Sequence, residues 1–351
     1  MTAKFGPWPM LAALWLAAPV MAAPLPTLDG TPPLVIAHRG ASAERPEHTL
    51  ASYKRAIEVG ADFVEPDLVM TKDNQLVTRH EPEIGLTTDA PAKFPDRKRT
   101  AMVDGKQIEG WFAEDFTLAE LKSLRAIQPH PDRSKDYDGQ FEIPTLQEVI
   151  DLVRSEEKAR DRTIGIYPET KHPTYFAEMG KDIDVALLDV LLKNGYRGPE
   201  DAVFIQSFEV SNLEKLSKLT KIRLIQLYGG PNGAPYDWVA AGVKRTYGDM
   251  MKPAGLAAVA KYAYGIGPSL TAIVPVKDGK TQPSTTLVAD AHQAGLRVHP
   301  YTFRGESRHL PAEYGGDLAA AIRQMMALGI DGFFTDEPAI GVKARAEALK
   351  N

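Results

Sequence analysis

Short apolar runs alternate with helically periodic segments along most of the chain. Leu34–Val35–Ile36–Ala37 is an apolar run bounded by turn residues, the pattern of a buried strand. Residues 49–59 then carry helical periodicity and stop at Gly60, a common helix terminator. Residues 62–70 read as extended, residues 71–74 as a turn and residues 75–79 as a further strand. The alternation resumes with a helix at 146–154 leading to a strand at 163–169, and a helix at 182–192 leading to 202–206. A helix at 210–219 precedes a strand at 222–227, one at 287–294 leads to 296–299, and one at 318–328 leads to 332–335.

Such alternation predicts a parallel sheet covered by helices. No Gly-x-Gly-x-x-Gly turn follows the first strand, which argues against a dinucleotide-binding open sheet. Polar residues instead stand at the C-terminal ends of several different strands, where (β/α)8 enzymes build their sites. The expected fold is therefore an α/β TIM barrel. It should be irregular, because the turn at 71–74 is too short for a crossover helix, which takes a dozen or more residues. One barrel helix is expected to be missing there. Residues 82–140 are charged and Pro-interrupted, with Lys93, Arg97, Lys98 and Arg99 clustered. They read as an insertion over the C-terminal face without a convincing core of its own. Trp111, Phe112 and Tyr137 within it are read as a small satellite cluster rather than pocket lining.

Composition adds boundaries. The chain has 351 residues, 44% hydrophobic and 25% charged, enough apolar material for one large barrel domain spanning residues 23–351. A net charge of −5 speaks against nucleic acid or a membrane surface as partner, so an anionic small molecule would need local positive charge. No cysteine is present, which excludes disulfides, thiolate metal sites and a cysteine nucleophile. Near the N-terminus, Lys4 precedes an apolar run from Met10 to Met21 and a small-residue exit at Ala22. That is the form of a secretory signal peptide over residues 1–22. The run is interrupted by Pro19 and falls short of the roughly 20 apolar residues of a spanning helix, so no stable membrane anchor is expected. The mature protein is expected to be exported and soluble.

Strand period two puts Glu65 and Asp67 of Glu65–Pro66–Asp67 on one face, and likewise Glu169 and Lys171. Adjacent carboxylates repel unless a cation neutralises them. Three of them with no soft ligand suit Ca²⁺, or Mg²⁺, better than zinc. The plainer alternative is strand-end charges facing solvent. His38 and His80 each close a strand beside this cluster, and imidazole can both take and give a proton near neutral pH. His48, His130, His172, His292, His299 and His309 lack that context and are read as structural. Arg39, Lys171 and Arg304 are the candidate anion-binding cations, a guanidinium being able to hold two phosphate oxygens at once.

Taken in order, His38–Arg39–Gly40, Pro46–Glu47–His48–Thr49, Glu65-x-Asp67, Thr71–Lys72–Asp73 leading to His80, and Pro168–Glu169–Thr170–Lys171 resemble the glycerophosphodiester phosphodiesterase family. Tyr301–Thr302–Phe303–Arg304 and Phe334–Thr335–Asp336–Glu337–Pro338 are similar to its C-terminal motifs. With the leader-like N-terminus, the chain looks most like the periplasmic bacterial branch. The resemblance implies a divalent ion, usually calcium, on Glu65, Asp67 and Glu169. It implies His38 and His80 as the general acid/base pair, and Arg39 and Lys171 on phosphate. The products implied are sn-glycerol 3-phosphate and an alcohol. The chain departs from the family where an Asp usually follows the second histidine; here it is Glu81. Alternatives are a phospholipase D-like phosphodiesterase acting on intact lipids, which needs an apolar path, and a non-catalytic periplasmic binding protein. A two-carboxylate glycosidase fits the paired histidines and Arg39 poorly.

Overall fold

The computed structural model describes residues 1–4 and 25–350. The apolar run and exit point read as a signal peptide lie outside the described residues. No helix among the described residues is long and apolar enough to cross a membrane.

Eight parallel strands close a barrel among the described residues. They are β1 (Leu34–His38), β2 (Phe63–Glu65, continued beyond Pro66 as Asp67–Met70), β3 (Gly165–Ile166 and Glu169–Thr170), β4 (Phe204–Ser207), β5 (Arg223–Tyr228), β6 (Gly265–Pro268), β7 (Arg297–Val298) and β8 (Gly332–Thr335). Each pairs in parallel with the next through β7. β8 pairs with β1 in the register Ala37↔Thr335. The ring closes between β7 and β8 through Asp331 N–H to Val298 O at 2.9 Å and a bridge of Phe303 with Thr335. The helices that follow them are α1 (Leu50–Glu58), α2 (Leu146–Arg160), α3 (Ile183–Lys193), α4 (Ser211–Leu219), α5 (Pro253–Val259), α6 (Leu287–Gln293), α7 (Leu318–Ala327) and α8 (Pro338–Ala348). α1 and α2 start where sequence chemistry places them, on Thr49 and Thr145, whose hydroxyls cap the first free amides.

The irregularity expected near residues 71–74 exists but takes another form, and no barrel helix is lost. After Pro66, which offers no N–H to the ladder, β2 runs on past the rim as Asp67–Met70. The chain then turns back as a short return strand, Leu76–Thr78, antiparallel to it. This return strand lies outside the barrel ring, and the crossover to β3 is made by α2. β6 and α5 have no counterpart in the sequence reading. Residues 82–140 also correct an expectation. Phe112, Phe116, Leu121 and Leu124 are fully buried in the same apolar cluster as Val149 and Val153 of α2. The segment therefore shares the barrel's core. Trp111 packs against that cluster, while Tyr137 stacks on Phe141 beneath the Arg45 guanidinium.

Inside the barrel, Ile36, Phe63, Tyr167, Phe204, Ile225, Leu227 and Phe334 pack into one plug. His299 is buried there, 2.9 Å from the Tyr167 hydroxyl, in the structural role assigned to it. The plug fills the lower barrel, so polar chemistry is confined to the C-terminal rim.

Candidate active site

His38 is the last residue of β1, and Asp336 lies one residue beyond β8, its neighbour. The pairing of the two strands therefore brings them together. His38 Nδ1 is 2.6 Å from Asp336 Oδ1. A carboxylate only accepts, so the proton sits on Nδ1 and Nε2 is left as an acceptor. Burial, reinforced by Arg39, pushes His38 down to about 4, against the pull of Asp336. It is neutral at pH 7. Asp336 is buried, which by itself would raise it; His38, Arg304 and Arg133 outweigh that and hold it well below the usual carboxylate range. Arg133 comes from the inserted segment and donates to Asp336 Oδ2 at 2.5 Å and to Glu306 at 2.6 Å.

Arg39 follows in the left-handed region at φ 58°, a conformation that costs a non-glycine residue about 1–3 kcal/mol. Its amide is thereby turned to donate to Glu65 Oε2 at 2.8 Å. Gly40 continues at φ 90°, and a Cβ there would lie 2.4 Å from the Ser52 hydroxyl, so the chain can pass α1 only as glycine. The Arg39 guanidinium donates to buried Glu47 at 2.9 Å and approaches Asp67 at 3.3 Å. Its Nε–H has no aligned hydrogen-bond partner, nor has that of Arg304, which lies 3.1 Å from Asp336.

Glu65, Asp67 and Glu169 are buried together, with one oxygen of each within 4.8 Å of the others. Gln206 donates to Glu65 at 3.0 Å. His48 bridges Asp67 at 2.9 Å and the Tyr53 hydroxyl at 2.8 Å, so the histidine read as structural orients a member of this cluster. Burial pushes Glu169 up to about 8 despite Lys171 at 2.7 Å, and burial with the neighbouring Asp67 and Glu169 raises Glu65 as well. The carboxylates thus lack the positive charge that would keep all three ionised. Asp67 Oδ1 is buried with no hydrogen-bond partner. An all-oxygen set with an orphaned oxygen fits a hard divalent cation.

His80 does not end a barrel strand, as its sequence position suggested. The return strand carries it back to the rim beside Asp67. Its Nδ1 lies 3.0 Å from Glu81 Oε1, and its side chain, 32% exposed, lines the cavity. Burial, with the charges of Arg39 and Lys171 behind it, lowers its pKa.

A cavity of about 270 Å³ is lined by His38, Arg39, Glu65, His80, Glu169 and Arg304, with Gln206, Leu227 and Phe334 also on its wall. Asp67 and Lys171 stand directly behind it, Lys171 lining an adjoining cavity that shares Glu169 and Phe208. All eight residues singled out from sequence therefore meet at one end of the barrel. Sequence reasoning missed Asp336, Arg133, Gln206 and Glu47 as parts of the site. Asp336 and Glu47 stood inside recognised motifs, and the adjacency of the first and last strands would have paired Asp336 with His38. Arg133, in the inserted segment, had no signal.

Two neutral histidines, a buried carboxylate trio and two guanidiniums lining one cavity, set on the C-terminal rim of a closed barrel, define a hydrolase for a small anionic ester. The chain belongs to the glycerophosphoryl diester phosphodiesterase family, whose model matches residues 38–340. It is 36% identical over 324 residues to the glycerophosphodiester phosphodiesterase GDPD6 of Arabidopsis thaliana, covering 88% of this chain and 85% of the relative. It is 34% identical to the glycerophosphodiester phosphodiesterase of Haemophilus influenzae, covering 88% and 89%. Among solved structures, the fold matches an Oleispira antarctica phosphodiesterase in complex with the product sn-glycerol-3-phosphate. That match has a TM-score of 0.57 at 20% identity, over 91% of this chain and 98% of that one. The glycerophosphodiester phosphodiesterase from Agrobacterium tumefaciens matches with a TM-score of 0.57 at 17% identity, over 89% and 99%. The protein is accordingly a phosphoric diester hydrolase acting on glycerophosphodiesters, and the binding-protein alternative falls away.

Proposed function

We propose that the enzyme cleaves glycerophosphodiesters to sn-glycerol 3-phosphate and an alcohol by paired histidine acid–base catalysis at a site that holds a divalent cation. The observation that carries this reading is the symmetry of the two histidines. Each has its Nδ1 turned to a carboxylate and each borders the same cavity beside the carboxylate trio. Glu65, Asp67 and Glu169 would hold the cation, Ca²⁺ by preference and Mg²⁺ as the alternative. When bound, it neutralises negative charge and polarises oxygen. The Arg39 and Arg304 guanidiniums line the cavity and would meet the phosphate oxygens there, and Lys171 adds positive charge from behind. One histidine takes the proton of the attacking oxygen through Nε2; the other gives a proton to the leaving alkoxide, having taken that proton up on Nε2 with the anionic substrate, whose charge favours the imidazolium. The solved relative bound to sn-glycerol-3-phosphate supports the product assignment. The leader-like N-terminus supports export to the periplasm.

The test is release of glycerol 3-phosphate from glycerophosphocholine with calcium, with magnesium and with chelator. Release that calcium supports and chelator stops is expected; release undiminished by chelator would remove the cation from the reading. Glu65→Gln should weaken cation binding by more than the roughly 10- to 100-fold that loss of a ligand's outer partner costs, and high calcium should restore part of the activity.

One observation favours a second reading, in which acyl- or alkyl-bearing phosphodiesters are also substrates. An apolar cavity of about 300 Å³, walled by Leu270, Val274, Leu310, Tyr314 and Met325, shares Tyr301, Thr302 and Arg304 with the catalytic cavity. Turnover of a lysophospholipid within tenfold of glycerophosphocholine would support it, and absence of turnover would remove it.

A further inference from the structure

The contacts behind His80 extend further than a histidine and its neighbouring acid. Glu81 bridges two histidines: its Oε1 is 3.0 Å from His80 Nδ1 and its Oε2 is 3.0 Å from His172 Nε2. His172 Nδ1 is in turn 2.7 Å from Asp104 Oδ2. Four side chains from three separate segments thus form one line. His80 and Glu81 follow the return strand, His172 follows β3, and Asp104 sits in the turn between Arg99–Val103 and Lys106–Gly110 of the inserted hairpin.

The geometry points to His172 and Asp104 as positioning residues that act through Glu81 on His80. This inference rests on the acid–base role proposed for His80. A glutamate on its own is a poor anchor for a catalytic ring, because its three torsions leave the carboxylate free to swing. Here the second oxygen is fixed by His172. A protonated imidazole donates from both nitrogens, so His172 ties Glu81 on one side and Asp104 on the other. Burial alone would strip that proton; hydrogen bonds to Asp104 and Glu81 outweigh it and bring His172 up to about 9. The titratable groups around it are Asp104 on the hairpin, Glu81 and neutral His80 on the return segment, and Lys171 beside it in the chain, with Lys106 and Glu209 on the wall of the same adjoining cavity. Lys171 opposes protonation but is itself drawn to Glu169. His172 is held at φ 47°, left-handed for a non-glycine residue, which is consistent with a ring fixed at both ends. The geometry also gives the Glu81 departure a purpose. The glutamate spans the distance between two rings that a shorter aspartate, bonded to His80, would leave open.

Two variants separate positioning from plain stability. Asp104→Asn removes one charge but keeps the turn, since asparagine tolerates the left-handed conformation at φ 48° that Asp104 adopts. His172→Phe keeps the ring and removes both donors. His172→Phe should lower kcat about 10- to 100-fold with KM and calcium affinity within twofold of wild type, a second-sphere effect on a proton-transferring ring. In the wild type, kcat should fall as pH rises through about 9, where neutral His172 can donate to only one of its two carboxylates. Asp104→Asn should move that alkaline limb to lower pH, because Asp104 is what holds the proton on. Wild-type kcat in folded His172→Phe, or an unmoved alkaline limb in Asp104→Asn, would overturn the assignment. A loss confined to KM or calcium affinity would do the same. Failure of the underlying acid–base reading is seen separately, as full activity in His80→Ala.

Discussion

The two halves of the active site hold the same residue in different ways. His38 ends a barrel strand, is nearly buried and leans on Asp336, whose charge is fixed by Arg133 and Arg304. His80 rides on a return strand outside the barrel ring, is one-third exposed and leans on Glu81, itself 43% exposed and backed by a titratable histidine. One side is built from permanent charges, Arg304 of the barrel rim and Arg133 of the inserted segment, and the other from adjustable charges on appended segments. The difference teaches that similar ring geometry can rest on supports with very different sensitivity to pH and to mutation.

The sharpest way to probe that contrast is to remove the rings. His38→Ala and His80→Ala should each lower kcat by about 10³-fold, the usual range for a lost acid or base, while the melting temperature moves little for His80→Ala. Repeating both with a nitrophenyl ester assigns the roles, since the variant lacking the acid loses least when the leaving group needs no proton. Equal losses with both substrates would break the division of labour. Next, Arg133→Met should destabilise the fold by about 3 kcal/mol, because it strips one cation from a buried carboxylate; denaturant unfolding measures it. Glu81→Gln, on the exposed side, should change stability by less than about 1 kcal/mol while still lowering kcat. A larger stability loss at Glu81 than at Arg133 would reverse the comparison.

Acid should act on both histidines. His38 and His80 each have a folded pKa of about 4, below the ordinary 6.5, so the unfolded chain binds these protons more readily. Stability from the pair is full above about 6.5 and declines as pH falls toward 4. His172 has the opposite sign: its contribution is full below about 6.5 and is lost as pH rises through about 9. Melting temperatures of wild type and His172→Phe across pH 5–10 check both limbs. The smallest expected effect is that of His48→Gln. It should weaken divalent-cation binding about tenfold by loosening Asp67, readable by titration calorimetry.

The contrast also explains which parts were legible beforehand. β1, β2 and β8 are apolar runs ending in polar residues, so Glu65 and Asp67 on one face and Glu169 beside Lys171 followed from the strand period alone. β6 was not legible, because close packing replaces its inward side chains with glycine. A Cβ at Gly267 would lie 2.4 Å from Leu227, and without it the apolar pattern vanishes. The return strand was seen but taken as part of the barrel, since periodicity carries no information on strand direction. Arg133, His172 and Asp104 escaped because they join the site through contacts between distant segments. Each taken alone resembles an ordinary surface charge or a packed histidine.

The aromatic plug beneath the site sets the order of events after bond cleavage. Tyr167, Phe204 and Phe334 close the barrel below the cavity, so it is a cul-de-sac with its door at the rim. Whatever sits deepest, against the carboxylate trio, departs only after whatever lies nearer the opening. A product held against the carboxylate trio is therefore released last, and while it stays it blocks the next substrate molecule.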